Sequence, residues 1–311
     1  MKVTAIVCGR RNQYTERAAR AALKAAKDEG AEVTLINLMD LNIKPCINCQ
    51  ACVRAMRDPD FKGTCPLGQD DMEWLDDQML SSDGLLFVAP MFENSVPGVY
   101  KVMCDRMGPS HDVTFLKEAY DQRMAKGEDP KIDTRFFRAR AVAFIGHGGS
   151  EWSYLSYPSL AVPAISMGMT IVDYVRLDWN NTLILDDARM ERVRQCGAHL
   201  AKMAALPDQE RSYIGPEGVC PACHCDVVRV DPETGGVECA LCGVKGKLEN
   251  GRVMMDPESV KLSHIFEAGR QKHMADLKNN GRVRAGLDQA EIQRRTKPLL
   301  EEIPTLKPHR S

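Results

Sequence analysis

Gly84–Ala89 (GLLFVA), followed by Pro90–Val96 (PMFENSV), is the stretch of sequence that decides the fold. Six apolar residues without a polar interruption are typical of a strand buried on both faces, as at the centre of a parallel sheet. The polar, proline-containing run then predicts a loop that leads into a helix beginning at Pro97. Such a strand needs helices on both faces of its sheet, which favours an α/β fold.

The segments on either side repeat this alternation of strand and helix. They predict a doubly wound five-stranded parallel sheet, and a unit of this length suits the flavodoxin-like strand order 2-1-3-4-5. The stretch from Pro109 to Arg138 interrupts the rhythm and predicts an excursion at the sheet edge. The other predicted strands are Lys2–Cys8, Glu32–Leu38, Ala139–Ile145 and Thr170–Leu177, and the helices are Thr15–Glu29, Asp70–Ser81, Pro97–Met107, Leu155–Met167 and Asp186–Ala205.

Composition and charge exclude several classes of function. The chain has 311 residues, 44% of them hydrophobic and 27% charged, and a net charge of −2, which argues against nucleic-acid binding driven by bulk charge. We expect no membrane span, because no apolar run is long enough to cross a bilayer. Twelve cysteines without a recognisable secretion signal predict a reducing, cytoplasmic compartment, in which thiols and metal sites are expected rather than disulfides.

The pattern changes after Pro207, and three domains are predicted. Residues 1–208 form the α/β domain, residues 209–252 form a small module rich in Gly, Cys and Pro, and residues 253–311 form a helical extension with a tail. Within the extension, helices are predicted from Pro257 to Asn279 and over Leu287–Thr296. The tail carries Pro298, Pro304 and Pro308 and is predicted to be extended.

A first cysteine cluster follows the second predicted strand. Cys46, Cys49 and Cys52 lie at two-residue gaps, and Cys65 follows after twelve further residues. One loop can wrap three such thiols around a metal ion or an iron–sulfur cluster. The longer gap to Cys65 does not exclude ligation, since the entropy of loop closure grows slowly with length.

A second cysteine cluster defines the small module. Cys220, Cys223, Cys239 and Cys242 form the pattern C-x2-C-x15-C-x2-C, a strong zinc-ribbon signature. A segment this small cannot bury a core of its own, so the metal would supply folding energy. A rubredoxin-like iron centre is the alternative to zinc, and Cys225 is a fifth thiol that could replace Cys223 as a ligand.

Three loops follow apolar strands and suit an anion or a planar ring. Gly9–Thr15 leads into a helix, whose N-terminal N–H groups and dipole favour a phosphate. Pro90–Val96 and Gly146–Ser150 offer an aromatic side chain and glycines that let the backbone approach a flat ring closely. His147 in the third loop is read either as a catalytic histidine or as a loop residue without a chemical role.

These motifs resemble those of the NADPH-dependent FMN reductase family and of the related iron–sulfur flavoproteins. The resemblance rests on Asn42–Cys52 with Cys65 and Asp70-Asp71-Met72, and on Pro90–Gly98 with Lys101 and Asp105-Arg106. It covers the first two-thirds of the chain, to which the zinc-ribbon-like segment is appended. The first loop departs from the family pattern, because it is shortened to Gly9-Arg10-Arg11.

The resemblance implies a bound FMN with NAD(P)H as co-substrate. By analogy, the phosphate lies on the first loop and the isoalloxazine lies against the second and third. In the iron–sulfur branch, four cysteines corresponding to Cys46, Cys49, Cys52 and Cys65 hold a [4Fe–4S] cluster, whereas plain FMN reductases carry a similar loop without one. The implied FMN-binding residues are Arg10, Asn12, Thr15, Pro90, Met91, Phe92, Glu93, Asn94, Ser95, Gly146, Gly148 and Gly149.

The leading functional hypothesis is an FMN-dependent NAD(P)H oxidoreductase that passes reducing equivalents to a flavin, a quinone or a similar acceptor. Because the cofactor carries this chemistry, no side-chain acid or base is required and no catalytic residue is nominated. The alternative is an iron–sulfur flavoprotein that acts as an electron carrier with ferredoxin-like partners. A non-enzymatic zinc-ribbon scaffold is the third hypothesis. The resemblance also implies a homo-oligomer.

Overall fold

Five parallel strands form the centre of the protein, which we describe from a computed structural model covering residues 1–303. The strands lie in the order β2-β1-β3-β4-β5, which confirms the doubly wound, flavodoxin-like α/β fold predicted from the sequence. Every pairing in this sheet is parallel. The strands are β1 (Lys2–Val7), β2 (Glu32–Asn37), β3 (Gly84–Pro90), β4 (Ala141–His147) and β5 (Thr170–Leu177).

Helices cover the sheet on both faces, as the two-sided burial of β3 requires. Leu86 and Val88 point to the face covered by α1 (Tyr14–Asp28) and α8 (Asp187–Ala204). Leu85, Phe87 and Ala89 point to the opposite apolar layer. That layer includes residues of α3 (Met72–Leu80), α4 (Gly98–His111), α5 (Val113–Ala125), α6 (Ser156–Leu160) and α7 (Val162–Ser166), while the short α2 (Ala51–Ala55) packs at its margin.

Two predicted helices differ from the structure for steric reasons. The helix predicted over Leu155–Met167 is divided into α6 and α7, and Pro163 lies in the first turn of α7, where its missing N–H is tolerated. The helix predicted to end at Met107 continues as α4 to His111, with a kink at Gly108 before Pro109. The predicted edge excursion contains α5 and a short 3₁₀ helix, Thr134–Phe137.

The cysteine-rich module is a four-stranded antiparallel sheet. It contains β6 (Val228–Val230), β7 (Gly236–Cys239), β8 (Lys245–Glu249) and β9 (Arg252–Met255) in sequential order. The hairpin between β8 and β9 turns at Asn250-Gly251, and both residues have positive φ angles (50° and 74°). This is the conformation that two-residue hairpins favour.

The C-terminal region is helical. It comprises α9 (Pro257–Lys261), α10 (Glu267–Ala285) and α11 (Gln289–Glu302), so the predicted continuous helix from Pro257 to Asn279 is broken between Lys261 and Glu267. Residues 1–270 form one compact unit, and the helical residues from 271 onward form a second. The domain boundaries at 208 and 252 stay predictions.

The predicted extended tail is wrong at its first proline. Pro298 lies inside α11, whereas Pro304 and Pro308 lie outside the described residues. Among residues 1–303, no helix has both the length and the apolar character that a transmembrane span needs.

Candidate active site and metal centre

Three loops meet at the carboxyl edge of the sheet. They follow β1, β3 and β4, which are neighbours in the strand order. Thr15 Oγ1, at the start of α1, lies 2.9 Å from His147 Nε2 at the end of β4. The N–H of Met91, just after β3, donates to the carbonyl oxygen of His147 at 2.8 Å. Side-chain and backbone hydrogen bonds of one histidine therefore join all three loops.

The first loop presents the N-terminus of a long helix to this edge. Gln13 occupies the N-cap of α1 without making a side-chain capping bond. Arg10 is exposed, and its side chain makes no hydrogen bond or ion pair within residues 1–303. Arg11 instead pairs with Asp40 at 2.6 Å. An uncapped helix N-terminus with an available guanidinium fits a phosphate group.

Glu16 and Asn37 brace the first loop from beneath. The Asn37 amide donates to the carbonyl oxygen of Gly9 at 2.8 Å and to Glu16 Oε1 at 3.0 Å, and the N–H of Asn12 donates to Glu16 Oε2 at 2.9 Å. Burial acts to raise the pKa of Glu16, but these hydrogen bonds, together with Arg20, bring it below its usual value. Glu16 is therefore a buried, ionised brace.

The second loop is a tight hairpin. Phe92 and Ser95 bond each other through both backbone groups, and the two residues between them, Glu93 and Asn94, have φ angles of 48° and 61°. Pro90 and Met91 are buried, whereas the Phe92 side chain is 63% exposed. The ring of Phe92 is therefore available to stack on a planar group at this edge.

The third loop is tightly packed at two of its three glycines, where a side chain would not fit. A Cβ atom on Gly146 would lie 2.8 Å from Ser156 Oγ, and one on Gly148 would lie 3.0 Å from the carbonyl oxygen of Ser150. The N–H of Gly148 donates to the carbonyl oxygen of Leu177 at 3.0 Å. Gly149 is exposed and has open space at its Cβ position.

The three loops fit FMN as a group, because they combine an anion-favouring helix N-terminus with backbone walls next to an exposed aromatic ring. All the predicted cofactor residues, from Arg10 to Gly149, lie in these loops at one sheet edge. Their individual contacts with FMN stay predictions. The sequence did not predict Asn37 and Glu16 as braces of the first loop. Asn37 ends the otherwise apolar second half of β2, and this was a signal that a polar side chain is needed at the sheet edge.

The first cysteine cluster lies on the loop after β2 and on α2. Cys46 is exposed, whereas Cys49, Cys52 and Cys65 are half-buried. Burial raises the pKa of Cys52, and the Cys65 and Cys46 thiols, which lie near enough to interact with it, raise it further. Within residues 1–303, the four sulfurs are not gathered closely enough for a single metal ion. A cubane cluster spaces its ligands more widely, and the [4Fe–4S] assignment stays a prediction.

A buried ion pair holds Cys65. The Arg106 guanidinium donates to Cys65 Sγ at 3.2 Å and to the carbonyl oxygen of Lys44 at 2.9 Å, and it is paired with the Asp70 carboxylate. Both side chains of this pair are 1% exposed. This hydrogen bond fixes the position of the Cys65 sulfur.

The second cysteine cluster is a compact, buried group of four sulfur atoms. The sulfur atoms of Cys220, Cys223, Cys239 and Cys242 all lie within 4.8 Å of one another, and each residue is buried. Two of the Sγ–Sγ distances, Cys220 to Cys242 and Cys223 to Cys239, are 3.5 Å. A zinc ion bound at about 2.3 Å from each sulfur places tetrahedral ligands about 3.8 Å apart, so the set fits one ion.

The two halves of this site are equivalent knuckles. The N–H of Cys220 donates to the carbonyl oxygen of Cys225 at 3.0 Å, just as the N–H of Cys239 donates to that of Val244 at 2.8 Å. Cys225 therefore occupies the position of a buried valine, and its Sγ faces the carbonyl oxygen of Val227 at 3.6 Å. The sequence-based alternative that Cys225 replaces Cys223 as a ligand is not the arrangement adopted.

The four-cysteine site is hydrogen-bonded to the α/β domain through its first knuckle, Cys220–Cys225. The buried hydroxyl of Tyr157, on α6, donates to the carbonyl oxygen of Cys223 at 2.6 Å. His224 takes a positive φ angle of 60°, as Gly243 does at 73° in the second knuckle, and its ring stacks on Tyr213 with centroids 3.7 Å apart. Since α6 follows the Gly146–Ser150 loop, metal site and candidate flavin site share one supporting element.

Comparison with known proteins now assigns the family. The family model of NADPH-dependent FMN reductases matches residues 1–176. The chain belongs to the NADPH-dependent FMN reductase family. This membership makes the protein an FMN-type oxidoreductase and agrees with the three converging loops. The leading hypothesis from the sequence, a flavin-dependent oxidoreductase, is confirmed at this level.

Individual relatives of this FMN reductase family member fall into two groups. An iron–sulfur flavoprotein of Methanocaldococcus jannaschii is 32% identical over 198 residues, which cover 60% of this chain and 88% of that protein. A flavone synthase of Aspergillus candidus is 29% identical over 294 residues, 89% of this chain and 88% of the relative. The solved structure of a flavone reductase, at 26% identity and a TM-score of 0.85, matches 99% of this chain and 100% of its own.

We expect the stability of this reductase to depend on the protonation of His147. Burial lowers the pKa of His147 from 6.5 to about 4, so the unfolded chain binds a proton between these values that the folded protein does not. The free energy of unfolding should therefore fall by about 3 kcal/mol as the pH drops through this window. Urea titrations at pH 7 and about pH 4.5, at matched FMN saturation, should show a smaller drop for His147→Gln. Equal drops in both proteins would contradict this explanation.

We also expect the fifth thiol of the module to be dispensable for metal binding. Cys225→Val should keep one metal ion per chain, because Cys225 occupies the place that Val244 has in the other knuckle. Cys223→Ser should lose most of the metal, since it removes one of four converging sulfurs. Elemental analysis of both purified variants is the measurement. Metal retained by Cys223→Ser and lost by Cys225→Val would reverse the ligand assignment.

Proposed function

We propose that this protein uses NAD(P)H and FMN to reduce a flat, conjugated aromatic ketone of the flavone type. The observation that carries the proposal is the extent of the similarity. The flavone reductase structure matches nearly the whole chain, including the four-cysteine module and the C-terminal helices. The iron–sulfur flavoprotein match covers 60% of it. The two relatives whose names refer to flavone therefore match this chain beyond the α/β domain.

The proposed reaction adds two electrons and two protons across one double bond. NAD(P)H and a solvent proton are consumed, the C=C bond conjugated to the ketone becomes a single bond, and NAD(P)⁺ is released. Bound FMN would supply the hydride transfer between the two substrates. The chain itself positions the reactants: the first loop would hold the phosphate, and the second and third would hold the ring system.

The rim of the site suits a planar aromatic acceptor. Trp152 and Tyr154, on the segment that follows the third loop, are each 55% exposed, and the N–H of Leu155 donates to Asn94 Oδ1 of the second loop at 3.2 Å. Ser153 donates to Asp178 at 2.5 Å, which ties this segment to the end of β5. Exposed aromatic side chains on anchored segments favour stacking on flat substrates.

Zinc is the metal we propose for Cys220, Cys223, Cys239 and Cys242. The site is closed by four buried thiolates and leaves no position for substrate, which is typical of structural zinc. A rubredoxin-like iron centre is the alternative at the same ligands. The remaining finer assignments are a homo-oligomer, a cytoplasmic location and NAD(P)H as co-substrate. They follow from the family resemblance and the cysteine content.

A second candidate function is an electron carrier with ferredoxin-like partners. It is favoured by Cys65, whose sulfur accepts a hydrogen bond from buried Arg106 and lies near enough to Cys52 to affect its pKa. A [4Fe–4S] cluster there would exchange single electrons with FMN. Protein purified without oxygen and containing about four iron and four sulfide per chain would support it. Iron-free protein with full NAD(P)H activity would exclude it.

We expect anaerobic NADPH oxidation to be supported by flavone as well as by menadione. The flavone should lose its conjugated absorbance in step with NADPH, and an electron carrier should be nearly inert with both acceptors. Trp152→Ala should raise the KM for flavone roughly three- to tenfold with an unchanged KM for NADPH, since one stacking contact is worth about 1 kcal/mol.

Trp74→Ala is the matched control, because Trp74 is also exposed (49%) but lies on α3, outside the three loops. Its KM for flavone should stay within about twofold of the wild-type value. Menadione reduction without any turnover of flavone would contradict the proposed acceptor and leave a general quinone reductase.

A further inference from the structure

His147 lies buried between the loops that the proposed function assigns to the phosphate and to the ring of FMN, yet that function gives its side chain no task. The ring is 3% exposed, and its Nε2 atom lies 2.9 Å from Thr15 Oγ1. Thr15 is itself 3% exposed and lies in the first turn of α1. This buried polar contact joins residues 132 positions apart in the sequence, and buried polar groups in proteins are nearly always hydrogen-bonded.

The backbone around His147 is fixed, so its ring has a defined position. Its carbonyl oxygen accepts the N–H of Met91 at 2.8 Å, and the next residue, Gly148, donates to the carbonyl oxygen of Leu177 at 3.0 Å. Pro90 is its partner across the β3–β4 pairing. The imidazole therefore reaches the start of α1 from a strand end held on both sides.

The Thr15 hydroxyl lies directly beneath the first loop. A Cβ atom on Gly9 would lie 2.6 Å from Thr15 Oγ1, closer than a side chain tolerates. Glycine at this position thus lets the backbone of the loop that precedes α1 pass close to the hydroxyl. In this position, the hydroxyl can serve both His147 and an anion bound at the helix N-terminus.

The number of protons and lone pairs on each group decides how the Thr15 hydroxyl can bond to both His147 and the phosphate. A threonine hydroxyl has one proton to donate and lone pairs that accept, whereas a phosphate dianion offers acceptors alone. If Thr15 donated its proton to His147 Nε2, it would present lone pairs to the phosphate, which is repulsive. If Nε2–H donated to Thr15 Oγ1, the hydroxyl proton would be available for the phosphate.

We propose that His147 is a positioning residue for FMN: its Nε2–H donates to Thr15 Oγ1 and so directs the Thr15 hydroxyl proton towards the phosphate. The inference rests on the proposed position of the phosphate on the Gly9–Thr15 loop. Burial keeps the imidazole neutral near pH 7, and a neutral ring has two tautomers. The tautomer with the proton on Nε2 is the one that this role requires.

The tautomer can be read directly in the FMN-loaded wild-type protein. Nitrogen-15 NMR of histidine-labelled protein distinguishes a protonated from an unprotonated Nε2, and His147→Gln identifies the signal by its loss. We expect the proton on Nε2. A proton on Nδ1 with Nε2 bare would overturn the proposal, because Thr15 would then have to donate to the ring.

Dissociation constants for FMN and for riboflavin, which lacks the phosphate, isolate the phosphate contact. Thr15→Val and His147→Leu should each weaken FMN binding about tenfold to a hundredfold, the range for a hydrogen bond to a charged group, with riboflavin binding unchanged. Thr15→Ser and His147→Gln keep a hydroxyl and an N–H donor, so their affinity for FMN should stay close to that of the wild type.

The Thr15→Val/His147→Leu double variant tests whether His147 acts through Thr15. We expect it to bind FMN no more weakly than the weaker single variant, since both changes remove one contact. Additive losses, or equal losses of FMN and riboflavin affinity, would show a general structural role and overturn the inference. Wild-type protein that binds neither ligand would instead contradict the proposed function, which keeps the two failures distinguishable.

Discussion

Parallel pairing of β3 with β1 on one side and β4 on the other is the constraint on which the rest of the structure depends. Because neighbouring parallel strands end at the same edge, their three following loops open side by side. His147 bonds to the other two loops, while Asn37 and Glu16 brace the first loop from beneath. The fold thus concentrates helix N-terminus, glycine backbone and exposed aromatic ring at one place without a dedicated binding domain.

The cysteine module depends on a different constraint, the convergence of four thiolates. Its strands β6–β9 contribute few buried side chains, so we expect a metal bound by the four cysteines to be the main source of its folding free energy. The Tyr157 hydroxyl connects this site to α6, the helix that follows the third loop. We therefore expect loss of the metal to change the conformation of α6 and of the preceding segment that carries Trp152 and Tyr154, on the acceptor side of the flavin site.

Much of this architecture follows from local sequence, and the rest requires tertiary information. Gly84–Ala89 specifies a central strand by itself, and the two C-x2-C pairs specify a metal site, because both signals are short-range. The Asn250-Gly251 hairpin was equally readable, although it was not predicted. The break at Pro163 was readable as well, because a proline disrupts a helix locally. The pairs Thr15–His147 and Asp70–Arg106 were not readable, since they depend on strand register and on which groups become desolvated together.

Hydrogen–deuterium exchange before and after adding FMN to FMN-free protein tests the central claim most directly. The three loops should act as one site, because backbone and side-chain bonds connect them through His147. We predict that FMN slows exchange together in peptides spanning residues 9–16, 90–97 and 146–150, with smaller changes in residues 220–255. Protection confined to one of these loops, or located elsewhere in residues 1–303, would contradict the account.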